Sequence, residues 1–246
     1  MKLAHWTTSI AGTMLAFAVT TANATPSVND VKFGPDMNHL QSADAYYGPV
    51  ENQKGNNNDP NKISDQSPGS IESFVNSHTS GWITESGTTM SIGNGWNFLV
   101  RDNNGTGTGA ASYGGFSFTL AAANDQNGQP NPAAWTLTVA DLTPDSGLSL
   151  PFMMDFVVHM HGGSNNSFYF FDDRTVETSN AGTFQITFTN NGGNPPGLSN
   201  FDLLVRDLRD IPTQPPTEVD IPEPASMLLF GAGLLGLGLS RRRKLV

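Results

Sequence analysis

Apolar and polar residues alternate with a period of two in three stretches along the middle and later chain. Phe116, Phe118 and Leu120 alternate with Ser117, Thr119 and Ala121, and Trp135, Leu137 and Val139 with Thr136, Thr138 and Ala140. Phe184, Ile186 and Phe188 repeat the pattern against Gln185, Thr187 and Thr189. Successive side chains of an extended strand point to opposite faces, so each stretch predicts a half-buried antiparallel strand. Further β-rich runs bounded by Gly, Asn or Pro predict strands at 80–85, 96–102, 115–121, 134–141, 155–161, 167–171, 182–189 and 199–205. No stretch has convincing amphipathic helical spacing. The expectation is an all-β fold, an antiparallel β-sandwich or jelly-roll-like body over residues 71–206.

Residues 25–70 are polar, with Asn56-Asn57-Asn58-Asp59-Pro60-Asn61 near their centre. They predict an extended arm with one early strand at 31–33. Residues 207–221 contain Pro212, Pro215 and Pro216 and predict a stiff, extended linker.

Composition agrees with a turn-rich β chain: 26 glycines and only 14% charged residues in 246. There is no cysteine, which excludes disulfides, thiolate metal sites and a Cys nucleophile. The formal net charge of −10 understates the acidity of the interior of the chain. Residues 25–220 hold 21 acidic against 7 basic residues, because five cations sit in the end segments. Such a surface repels phosphate backbones and argues against a nucleic-acid partner.

The two ends differ from the body. Lys2 precedes an uncharged stretch over 9–19, followed by Thr-Thr-Ala-Asn-Ala with Ala22 and Ala24 at −3 and −1 of a cut after residue 24. Charge, short apolar core and A-x-A site together predict a signal peptide over 1–24, exported through the Sec translocon. At the other end, Pro222-Glu223-Pro224 precedes 16 uncharged residues, 225–240, and then Arg241, Arg242, Arg243 and Lys244. As a helix the span would be about 24 Å long, slightly less than the hydrocarbon thickness. The cation cluster would stop transfer and stay on the cytoplasmic side.

This tripartite end, residues 222–246, resembles the PEP-CTERM sorting signal of bacteria that make extracellular polysaccharide. The resemblance implies processing by exosortase, a membrane transpeptidase, near Pro222-Glu223-Pro224. It also implies tethering in the membrane before that step and a cell-surface or extracellular location after it. Residues 183–206, with Asn190-Asn191-Gly192-Gly193 and Leu198-Ser199 between two strands, resemble the closing segment of a recurrent β-body that precedes such tails.

Several residues could carry chemistry. In a strand His159 and His161 share a face with Asp155, while Phe156, Val158 and Met160 occupy the other. With the apolar set inward, two imidazoles would stand together outside, as the start of a metal site that needs a third ligand or as two solvated histidines. Asp102-Asn103-Asn104-Gly105, and Asn58-Asp59 near Asp65, offer oxygen ligands suited to Ca²⁺. Neither fits the spacing of a calcium loop, and the same residues favour plain turns. The expectation is therefore no cofactor, with Ca²⁺ possible and His159, His161, Asp102 and Asp59 the candidate ligands for a metal. Asp172-Asp173 with Glu177 reads as paired carboxylates for glycoside hydrolysis or as a charged turn. Trp82, Trp96, Trp135 and 169–171 read as a sugar-stacking face or as core.

Two functions are compatible with this pattern. The first is a non-enzymatic surface or matrix protein with a structural or carbohydrate-associating role in extracellular polymer. The second is a secreted hydrolase or lyase acting on that polymer.

Overall fold

The computed structural model describes residues 25–54, 59–103, 108–123, 132–144, 147–190 and 193–212. All but Ile211 and Pro212 belong to one compact unit that ends at Asp210. The expected signal peptide with Ala22 and Ala24, Pro222, Glu223 and Pro224, the span 225–240, and Arg241 to Lys244 lie outside the described residues.

After a short 3-10 turn at Val28–Asp30, the elements are β1 (Val31–Gly34), β2 (Gln41–Ser42), β3 (Ala45–Glu51), α1 (Pro68–Ser77), β4 (Ser80–Thr84), β5 (Thr89–Ser91) and β6 (Asn97–Asn103). They continue with β7 (Gly109–Tyr113), β8 (Phe116–Ala122), β9 (Ala133–Asp141), β10 (Phe152–Gly162), β11 (Asn165–Val176), β12 (Ser179–Phe184) and β13 (Asn200–Asp210). Two mainly antiparallel sheets result, in the orders β2-β1-β12-β9-β8-β7 and β5-β4-β3-β11-β10-β13-β6. The all-β, sandwich-type expectation agrees with this architecture.

The inner faces of the two sheets meet in one core. The first sheet contributes Phe33, Phe118, Leu120, Trp135 and Leu137, and the second Phe156, Val158, Met160, Phe171 and Phe201. Phe156 and Phe171 stack with centroids 4.6 Å apart, and Phe33 meets Phe156 edge-on at 4.9 Å. Strands β8 and β9 show the burial alternation their sequence predicts, because the first sheet is covered on one face only.

The second sheet is covered on both faces. A second apolar cluster on its outer side joins Val157, Phe168, Phe170 and Leu204 to Ile71, Phe74 and Val75 of α1 and to Trp82 and Trp96. The expectation of no helix is corrected here. Ser67 caps α1 by accepting from the Ser70 N–H at 3.3 Å, Pro68 occupies the first turn, and residues 71, 74 and 75 form a narrow apolar stripe. The surrounding serines obscure that stripe in the sequence. Glu72 accepts from the Phe98 N–H at 2.7 Å, and Asn76 accepts from the Gly95 and Trp96 N–H groups at 2.9 Å, which ties the helix to the entry of β6.

The segment read as an extended arm is integral to the fold. It supplies β1 to the first sheet and β3 to the second, where β3 pairs with β11. Strand β13 continues to Asp210, so extended pairing runs into the region read as linker.

Candidate functional site

His159 and His161 are both buried, at 0% and 8% exposure, in place of the solvated outer pair expected from alternation. Their face of β10 is the one covered by the outer layer. His159 stacks on Phe168 with centroids 4.6 Å apart. A polar ladder runs from it across neighbouring strands. Arg101 on β6 donates to Asp202 on β13 in bidentate fashion, at 2.6 and 2.8 Å, and Asp202 Oδ2 lies 2.7 Å from His159 Nδ1. On the other side His159 Nε2 lies 2.9 Å from Asn166 Oδ1 on β11.

One backbone carbonyl orients the rest of this ladder. Asn166 Nδ2 donates to Val50 O at 3.1 Å, an atom that can only accept, so Asn166 Oδ1 must face His159. The same Nδ2 donates to Asn52 Oδ1 at 2.8 Å, and Asn52 Oδ1 also accepts from Gln66 Nε2 at 2.7 Å. Asn52 Nδ2 therefore points at His161 Nε2, 3.2 Å away. His159 meets an oxygen at each ring nitrogen, Asp202 Oδ2 and Asn166 Oδ1, so both nitrogens are engaged within the ladder rather than open to a metal. His161 meets a donor at Nε2 and so carries its proton on Nδ1. Burial, then the neighbouring His159 charge, push His161 down to about 4. Burial alone would raise the Asp202 carboxyl, but the Arg101 and His159 hydrogen bonds and charges outweigh it and hold it below the usual range.

The ladder reaches the outer layer through Gln66, whose backbone oxygen accepts from Arg101 Nη1 at 2.6 Å. It thus fixes the chain just before α1.

A second charged group lies at the other end of β10. Asp155, Asp172 and Asp173 bring carboxylate oxygens within 4.8 Å of one another. Asp155 is 3% exposed, accepts from Arg206 Nη2 at 3.0 Å and Arg209 Nη2 at 3.1 Å, and receives the Asp173 N–H at 3.0 Å. Arg209 also pairs with Asp173, and Arg206 lies 4.5 Å over the Trp96 ring. Register shifts on both sides of Asp155 are matched by left-handed residues on the flanking strands, Asp173 and Asp207, both at φ 51°. Asp172-Asp173 is therefore a bulge inside β11 rather than a turn between strands. Burial raises the Asp172 carboxyl, with Asp155 and Asp44 adding to the effect. Two guanidinium groups already occupy positions from which a cation would balance these acids.

The remaining candidates separate. Asp102 lies in β6, 1% exposed, and its Oδ2 accepts the Ala122 N–H of the first sheet at 2.7 Å. Asp59 and Asp65 accept the Asn61 and Ser67 N–H groups at 2.9 and 2.8 Å, the local bonding of turns. Trp82, Trp96, Trp135 and residues 169–171 are at most 2% exposed and belong to the two cores. An open groove of about 600 Å³ beside α1 is lined by Gln53, Asp59, Lys62, Ser67, Ser70 and Ser73, among others. Sequence reasoning missed Arg101, Asp202, Asn166, Asn52 and Gln66, which lie on five separate segments with no common motif.

Residues 220–244 match the PEP-CTERM protein-sorting motif. The chain carries a PEP-CTERM sorting signal. This PEP-CTERM match contains the Pro222-Glu223-Pro224 signature and Arg241 to Lys244, as the resemblance implied. It implies export, membrane anchoring before processing, and exosortase as the processing enzyme. No curated protein and no solved structure matches the chain. Among the described residues no helix is long and apolar enough to cross a membrane, and the span at 225–240 is not among them.

Proposed function

We propose that the mature β-body is a structural or carbohydrate-associating component of extracellular polymer, displayed at the cell surface after exosortase removes its tail. The PEP-CTERM motif at 220–244 carries this reading. The groove beside α1 supports a binding role over hydrolysis. Among the described residues its lining offers hydroxyls, an amide, the Lys62 ammonium and a single carboxylate, Asp59, whereas glycoside hydrolysis ordinarily needs two opposed carboxyl groups. Asp44 and Glu85 line another open groove, but Asp44 is committed to Arg174 at 2.9 Å and to the Asp172 N–H at 2.8 Å.

The test is intact-mass and C-terminal peptide mapping of protein from membrane, cell-surface and medium fractions of its host, followed by co-sedimentation with the host polymer. The reading expects a species running from Thr25 to between Pro222 and Pro224, outside the membrane and retained by polymer. Retention of Arg241 to Val246 in the membrane fraction alone would make the body a tethered ectodomain and end the matrix reading.

A further inference from the structure

The ladder around His161 is locked in one orientation, and a second proton on that ring conflicts with it. We propose that His161 is an acid-sensitive latch for residues 59–67, the segment that carries the chain from β3 to α1. In the latched state its Nε2 accepts from Asn52 Nδ2. Protonation turns Nε2 into a donor and sets two N–H groups against each other. Asn52 cannot relieve this by turning its amide, because that would set its Nδ2 against Asn166 Nδ2, which Val50 O holds in place as a donor. Asn166 cannot turn either, since Val50 O and His159 Nε2 fix both of its ends.

Charges near His161 oppose a second proton on balance. His159 on the same strand and Arg101 on β6 disfavour it, whereas the Gly163 backbone and Asp202 on β13, itself paired with Arg101, favour it. Strand β11 and the residue just past β3 present the neutral Asn166 and Asn52. Burial lowers His161 in the same direction, to about 4.

The strain passes to the segment bonded to Asn52, which is otherwise held by Ile63 in the outer apolar cluster and by the Lys62–Glu51 pair at 2.8 Å. Asn52 forms a parallel bridge with Ile63, closed by Gln53 N–H to Ile63 O at 2.8 Å and Ile63 N–H to Glu51 O at 3.3 Å. Gln66 hangs on Asn52 and Arg101. Helix α1 has independent anchors in Ile71, Phe74 and Val75 and in the bonds of Glu72 and Asn76. Acid therefore frees 59–67 and the Asn52 bridge while α1 stays docked.

Hydrogen–deuterium exchange of the full chain in detergent micelles, from pH 7 to pH 4, tests this, with His161→Gln compared at each pH to cancel intrinsic exchange rates. Glutamine can accept from Asn52 and does not titrate. Amides of residues 50–54 and 59–67 should exchange about tenfold faster in the wild type than in H161Q at the acidic end, with no difference over 71–77. The His161 ring titration, followed by NMR, should share its midpoint with the loss of protection. The latch is overturned if H161Q shows the same acid step, if the ring titrates without loosening 50–54 and 59–67, or if the whole body opens at once. Should H161Q fail to fold, the coincidence of the two wild-type midpoints decides.

Discussion

His159 Nδ1 lies 2.7 Å from Asp202 Oδ2, and neither side chain has exposed surface. Asp202 lies between this ring and the Arg101 guanidinium and is hydrogen-bonded to both. Replacing Asp202 by Asn leaves the largely buried Arg101 guanidinium without its anion. The expected loss is about 3–5 kcal/mol, read from urea unfolding midpoints. A loss no greater than that of an exposed substitution such as Asp36→Asn would show that the ladder does not hold the fold.

Acid should weaken the body in two overlapping steps. His161 sits below its ordinary value, so its contribution is complete above about pH 6.5 and is lost as pH falls toward 4. The Asp202 carboxyl is also depressed, so its contribution is present above the ordinary carboxylate range and disappears at still lower pH. Melting temperatures recorded from pH 8 to pH 3 should fall on the acid side already below 6.5, and H161Q should shift the onset downward.

Gly182 on β12 packs against Trp135, whose Nε1 donates to Lys32 O at 3.1 Å across β1. A Cβ at position 182 would meet the indole and the Lys32 carbonyl. Gly182→Ala should cost about 1–3 kcal/mol by overpacking and blue-shift the Trp135 fluorescence or broaden its indole N–H resonance. Unchanged stability with an unmoved indole would refute this account of the glycine.

The Asp155 cluster is balanced by Arg206 and Arg209. Millimolar Ca²⁺ or a chelator should therefore leave the wild-type melting temperature unchanged. The double variant R206Q/R209Q should melt lower in chelator and regain stability with Ca²⁺, because the freed carboxylates then have an available cation. A chelator-induced drop in the wild type would instead make the cluster an ion site.

Local pattern reveals what depends on neighbours along the chain. Phe116, Phe118 and Leu120 alternate with small polar residues because β8 buries one face only, and the same holds for Trp135, Leu137 and Val139 on β9. The sorting signal is legible for a related reason: motif, span and cations are contiguous and are recognised as linear chemistry. Alternation misplaces His159 and His161 because it identifies which residues share a face, not what lies against that face. The cover is α1, whose three apolar positions sit among serines, together with Trp82 and Trp96 from later segments.

By itself, then, the sequence determined the all-β class, the one-sided strands and the PEP-CTERM address at the end of the chain. Only the tertiary structure decided that the second sheet is buried on both sides, that the polar N-terminal segment supplies strands to both sheets, and that Arg101, Asp202, His159, Asn166 and Asn52 form one ladder. Strand pairing in this topology joins residues as far apart as Asn52 and His161, and no periodicity within either segment encodes which distant donor will meet which acceptor.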